Sequence, residues 1–122
     1  KNLEYYIAKV PVKKTPAMSK SVYSVLYARL GKAEQALHYF YDSYLPNLNP
    51  PFRVIAEFNG GTNPYFITGA GGTLQAIIFG FAGLEITDKG LKQVYTPILP
   101  KEWSSLTIRV AGKEIVHVNK NE

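Results

Sequence analysis

The sequence predicts an α+β fold, with helices first and strands afterwards. Three observations carry that expectation. Apolar residues recur at helical spacing in the segments around 18–30, 33–45 and 69–82. From Leu84 onward the apolar period drops to two. Between the second and third helical segments runs LPNLNPPFRVIAEFNGGTNPYFIT, residues 45–68, a long connection rich in Pro, Gly and Asn. Helices followed by strands describe either one α+β domain or the join between two domains of a larger protein. The chain begins at Lys1 rather than Met, which fits an excerpt or a processed secreted chain.

Each element follows from local pattern. Residues 1–17 carry Tyr5-Tyr6 and two prolines and read as a loop or short extended arm. From Met18, the residues Val22, Val25, Leu26 and Leu30 make an apolar stripe, and Gly31 is a good stop. Ala33, Ala36, Leu37, Phe40, Tyr41 and Tyr44 make a second stripe, with Glu34, His38 and Asp42 on the opposite, water-facing side. The short turn between them predicts a helical hairpin. Connections as long as 45–68 are usually functional or disordered, and Phe52, Phe58, Tyr65 and Phe66 argue against disorder. The third helix, about 69–82, places Leu74, Ile77, Ile78 and Phe81 on one face, while Ala76 and Phe79 keep the rest nonpolar. A helix apolar nearly all round is buried, and this chain is barely large enough to surround it. Strands are expected at 84–87, 91–95, 105–110 and 113–118, with Asp88-Lys89-Gly90 and Ala111-Gly112 as turns. Leu106, Ile108 and Val110 should share a buried face. In the last strand Ile115 shares its face with His117, and Val116 and Val118 share the other, which leaves its register open. PILPKEW, residues 97–103, reads as a linker.

Composition removes several function classes. Hydrophobic content of 46% describes a globular chain. The net charge of +5 raises the question of nucleic acid. The basic residues beyond the first twenty are scattered among acids, without the one-sided basic face such a surface needs, so no nucleic-acid partner is expected. The longest apolar run, Leu74 to Leu84, falls far below the roughly 20 residues that span a bilayer, so no membrane partner is expected. The absence of cysteine excludes disulfides and thiolate metal sites and leaves the compartment open. His38 and His117 are isolated from each other, so neither a metal nor another cofactor is expected.

The nine acids sort by position. Glu34 and Asp42 lie on a solvated helix face, Asp88 in a turn, Glu85 at a strand start, and Glu102 in the linker. Glu4 belongs to the N-terminal arm, and Glu114 and Glu122 to the hairpin and tail. Glu57 alone sits in the Gly/Asn-rich loop, AEFNGGTNPYFITGAGG, between apolar flanks suited to excluding competing water. The simpler alternatives are an exposed loop acid or a partner for Arg53. Gly69, Gly71 and Gly72 open the third helix, either as an anion-binding N-terminus or as small residues that allow close helix packing.

Taken together, SVYSVLYARLGKAEQALHYF, TNPYFITGAGGTLQAIIFGFAGLEI and PILPKEWSSLTIRV, in that order and spacing, resemble the C-terminal part of glycoside hydrolase family 65. This family comprises maltose, trehalose and kojibiose phosphorylases, acid trehalase and related α-glucoside hydrolases. The resemblance covers Pro16 to Val110. It implies that residues 1–83 are the closing helices and pocket loop of an α/α six-hairpin barrel, and that residues 84–122 open a small β-sandwich. It also implies an inverting mechanism, in which one carboxyl protonates the leaving oxygen and another activates water from the opposite face. The proton donor would lie outside this chain and Glu57 would be the general base. Asn63, Phe66 and Lys14 would be substrate-binding residues.

The phosphorylases of the family bind phosphate with a His-x-Ser-Ser-x-Ser type loop and a second His at the loop-to-helix junction. Here Lys14 stands in the place of the first His, Pro16-Ala17 replace the paired serines, Phe66 replaces the second His, and only Ser19 remains. These departures favour water over phosphate as acceptor. The implied partners are an α-glucoside and the rest of a parent catalytic domain, in a periplasmic or secreted setting or else the cytoplasm. An uncovered third helix would promote self-association. A disaccharide phosphorylase, or a free-standing carbohydrate-binding module, is the alternative; a self-covered compact fold would favour the module.

Overall fold

The computed structural model describes residues 2–11 and 15–119. Lys14 lies outside the described residues. The chain forms α1 (Asn2–Ile7), α2 (Ala17–Arg29), α3 (Ala33–Asp42) and a 3-10 turn at Leu45–Asn47. Strands β1 (Leu48–Asn49) and β2 (Val54–Ile55) follow, then α4 (Ile67–Gln75), which continues as a π-helical stretch, Ala76–Phe81. The chain closes with β3 (Leu84–Thr87), β4 (Gly90–Gln93), β5 (Ser105–Val110) and β6 (Lys113–Val118). The fold is α+β. Its strands form antiparallel pairs, β1 with β2, β3 with β4 and β5 with β6. The first correction is at the N-terminus, where α1 replaces the expected extended arm.

α2 is the hub, packed against α3, α4 and the π-helical stretch. Its C-terminus closes as the sequence anticipates. Gly31 adopts φ +74°, and the Lys32 and Gly31 amides donate to the carbonyls of Tyr27 and Ala28, the pattern of a glycine-terminated helix. The orientation of α2 departs from expectation. Its buried face is Ala17, Lys20, Ser21, Ser24, Tyr27 and Ala28, while Val22 and Leu30 are 46% and 60% exposed. The cause is close packing. A Cβ on Gly72 would meet Ser21 Oγ at 3.0 Å, and one on Gly80 would meet the Val25 Cα at 3.2 Å, so these backbones approach across small side chains. Ser24 satisfies its buried hydroxyl by donating to the Ala36 carbonyl at 2.8 Å. Lys20, buried, pairs with Asp42 at 3.6 Å, so Asp42 is not a purely solvated acid.

α4 begins two residues before the expected start. It is not covered all round, since Ile67 and Leu74 are exposed while Ala76, Gly80 and Phe81 are buried. The segment expected as a linker instead packs Ile98 and Trp103 against the core, while Lys101 and Glu102 stay exposed. The Ile98 amide donates to the Phe81 carbonyl at 2.9 Å, and the Trp103 ring packs tilted against Phe81 and edge-to-face with Phe40, with centroids 4.7 and 5.7 Å apart. Arg29 joins the helical layer to the strands. It pairs with Glu85 at 3.0 Å and lies over the Tyr95 ring at 4.3 Å, so Glu85 is more than a strand-start acid.

The β5–β6 register is Leu106 opposite His117, Ile108 opposite Ile115 and Val110 opposite Lys113. Leu106, Ile108 and Ile115 pack inward while Val110, Val116 and Val118 are exposed. The inward face therefore ends short of Val110, at the turn. Burial pushes the His117 imidazole below its ordinary pKa, and its Nε2 is buried without a hydrogen-bond partner.

Candidate functional site

The 56–66 loop that carries Glu57 is pinned by hydrogen bonds at both ends. Where it leaves β2, the Ala56 amide donates to the Asn47 carbonyl at 2.8 Å, and Asn47 is fully buried. In its middle, Asn49 Nδ2 donates to the Gly61 carbonyl at 2.8 Å. Before α4, the Phe66 amide donates to the Ile55 carbonyl at 2.9 Å. Tyr65 adopts φ +59°, a left-handed conformation that costs a side-chain-bearing residue roughly 1–2 kcal/mol. So many polar groups satisfied by side chains and backbone outside any ladder explain why a loop this long holds one shape.

Glu57 itself is half-buried. Its carbonyl accepts the amide of Ala17, the first residue of α2, at 2.7 Å. The Asn63 carboxamide meets it twice: the Glu57 amide donates to Asn63 Oδ1 at 3.4 Å, and Asn63 Nδ2 donates to Glu57 Oε2 at 3.5 Å. No ion pair joins it to Arg53 among the described residues. Glu57 and Asn63 are thus brought together.

Phe66 sits at the other side of the same junction. A Cβ on Gly69 would stand 2.9 Å from Phe66 Cδ1, 3.0 Å from Ala17 Cβ and 3.3 Å from Ile55 Cδ1. Ala17 and Phe66, 49 positions apart in the sequence, therefore converge on the start of α4, where the fully buried Ala17 also meets the Glu57 carbonyl through its amide, and the contact they make there is apolar. Gly69 and Gly72 serve close packing, whereas Gly71 faces open space. Among the described residues no group of three His, Cys, Asp or Glu side chains could hold a metal ion. No described helix is long and apolar enough to cross a membrane.

Sequence reasoning passed over Asn49 and Asn47. Their signal was present in NLNPP, a cluster of residues that bond backbone groups locally, but which loop they would pin was not. A separate cleft of about 500 Å³ lies between residues 96–99 and 116–119. None of the residues of the Glu57 junction lines it.

No family model matches the chain. Kojibiose hydrolases of Mucilaginibacter mallensis and Flavobacterium johnsoniae are 54% and 56% identical to it over 114 and 115 residues, in each case 93% of this chain and 17% of the relative. An α,α-trehalose phosphorylase of Geobacillus stearothermophilus is 31% identical over 102 residues, 81% of this chain and 12% of the relative. The chain thus spans about a sixth of the length of the hydrolases it matches. Identity above one half over nine-tenths of its residues makes it a short segment of a protein of glycoside hydrolase family 65, to which the chain belongs.

Proposed function

We propose that the chain is part of the catalytic domain of an inverting hydrolase of α-linked glucosides, a glucose disaccharide of the kojibiose type or a related oligosaccharide. In this reading residues 1–83 are the closing helices and pocket loop of an α/α barrel, and residues 84–122 begin a small β domain. Glu57 is the general base. It takes a proton from a water molecule as that water attacks the anomeric carbon, while an acid elsewhere in the parent protonates the leaving oxygen.

The observation that carries the reading is the convergence of Ala17 and Phe66 at Gly69, beside Glu57. These are positions where the phosphorylases of the family carry phosphate ligands, and here they offer methyl and phenyl groups instead of hydroxyl and imidazole donors. Methyl and phenyl groups give an anion no hydrogen bonds, whereas the Glu57 carboxylate, on the same loop as Phe66, can accept a proton from water. The exposed apolar faces of α2 and α4, with Val22, Leu30, Ile67 and Leu74, favour a segment covered by the rest of a parent domain over a free-standing module.

The test uses the full-length parent. Glu57→Gln keeps the shape of the side chain but cannot accept the proton, so kcat should fall by roughly 10²–10⁴-fold with KM little changed. Azide, which needs no deprotonation, should partly restore turnover as a β-glucosyl azide. Wild-type turnover should be equal in phosphate-free buffer and release glucose alone. Retention of more than about a tenth of kcat in the Gln variant, well above the range for a general base, would sink the assignment.

A further inference from the structure

We infer that Asn63 is a positioning residue for the Glu57 carboxylate rather than a sugar ligand, an inference that rests on Glu57 acting as the base. Both ends of the Asn63 carboxamide are turned onto one residue: Oδ1 accepts the Glu57 amide and Nδ2 donates to Oε2. Engaging Oε2 fixes the plane of the carboxylate and leaves Oε1 to accept the proton of a water. An amide suits this task because it cannot itself take that proton, and so holds the base without competing with it.

The loop is built around this contact. Asn49 holds the Gly61 carbonyl at 2.8 Å, and a Cβ on Gly61 would come within 3.1 Å of Asn63 Oδ1 and 3.0 Å of the Phe58 carbonyl, so the bare glycine leaves room for the carboxamide. The Ala17 amide on the Glu57 carbonyl fixes the backbone from the opposite side. Glu57 is therefore held at its amide, its carbonyl and one carboxylate oxygen. The two side-chain contacts, at 3.4 and 3.5 Å, are of the length that tightens when substrate completes a site.

The experiment is a double-mutant cycle on kcat in the full-length parent. Asn63→Ala should lower kcat by about 10–100-fold, the effect of misplacing a catalytic group by about 1 Å, with KM within about twofold. In the Glu57→Gln background the same substitution should cost nothing further, and azide-supported turnover should be unchanged. Asn63→Asp, which keeps the size and the acceptor but lacks the donor, should lose as much as Asn63→Ala. A rise in KM at constant kcat would identify a sugar ligand and overturn the inference, as would equal losses in both backgrounds or full kcat in Asn63→Asp. Failure of the base reading has a different signature, near-normal kcat in Glu57→Gln alone, and removes the inference with it.

Discussion

Helix α2 and the β5–β6 hairpin differ in what they bury: the hairpin buries branched aliphatic side chains, whereas α2 buries mostly small and polar ones around Tyr27. The hairpin sends Leu106, Ile108 and Ile115 inward, and its outer face mixes Val116 and Val118 with polar residues such as Thr107 and Arg109. α2 sends Ser21, Ser24 and Ala28 inward and leaves Val22, Leu26 and Leu30 exposed. The difference is that an apolar stripe specifies a contact without specifying the partner. The hairpin finds its partner within this chain, in Ala82, Leu84 and the π-helical stretch. The outer face of α2 has none among the described residues. Its inner face is occupied by neighbours close enough to require Gly72, Gly80, Ser21 and Ser24.

The helical layer and the strands meet at Trp103 and Gly83. Trp103→Ala removes the ring that ties the approach to β5 to Phe40 and Phe81, and should destabilise the chain by about 3–5 kcal/mol in urea titrations. A loss under about 1 kcal/mol would mean that the helical layer and the hairpin are independent units, as a true linker would have made them. Gly83→Ala acts at the first turn out of the helical layer, where φ is +65° and a Cβ would overlap the Tyr95 carbonyl. The left-handed conformation and the overlap together should cost about 2–4 kcal/mol. An unchanged denaturation midpoint would show that this joint is looser than its geometry implies.

The smallest effect on stability sharpens the comparison most. Changing Val22, Leu26 and Leu30 to Ser on the isolated 122-residue chain should cost about 1 kcal/mol per site or less, because each side chain is only partly covered. The same changes should shift sedimentation from self-associated species toward monomer. Wild-type chain that sediments as a monomer at high concentration would show that the outer face needs no cover.

How much of this was legible follows from how local each signal is. Strands β3 to β6 are readable to within a residue or two because period-two alternation and the Asp88–Gly90 and Ala111-Gly112 turns act over neighbouring positions, whereas the two-residue strands β1 and β2 lie inside the stretch expected as a connection. The end of α2 was readable from Gly31 for the same reason. PILPKEW reads as a linker because its two prolines break any helical or strand period, and only the contacts of Trp103 with residues 22 and 63 positions earlier show that it packs on the core. Glu57 stood out in sequence as a lone acid in a glycine-rich loop. Its pairing with Asn63 and the meeting of Ala17 with Phe66 were not visible there, since both depend on how a pinned loop folds back on α2.

Residue order alone carries the succession of elements, the change from helical to strand period at residue 84, the family through its ordered motifs, and the presence of Pro16, Ala17 and Phe66 on either side of the helical hairpin. Those are properties of residue type and spacing, which a linear chain carries before it folds. Tertiary structure alone decided which face of α2 is inward, where Trp103 docks, and which atoms hold the Glu57 carboxylate. Each of these depends on the close approach of distant backbones, where a missing Cβ or a single amide selects one packing among several that satisfy the same hydrophobic pattern.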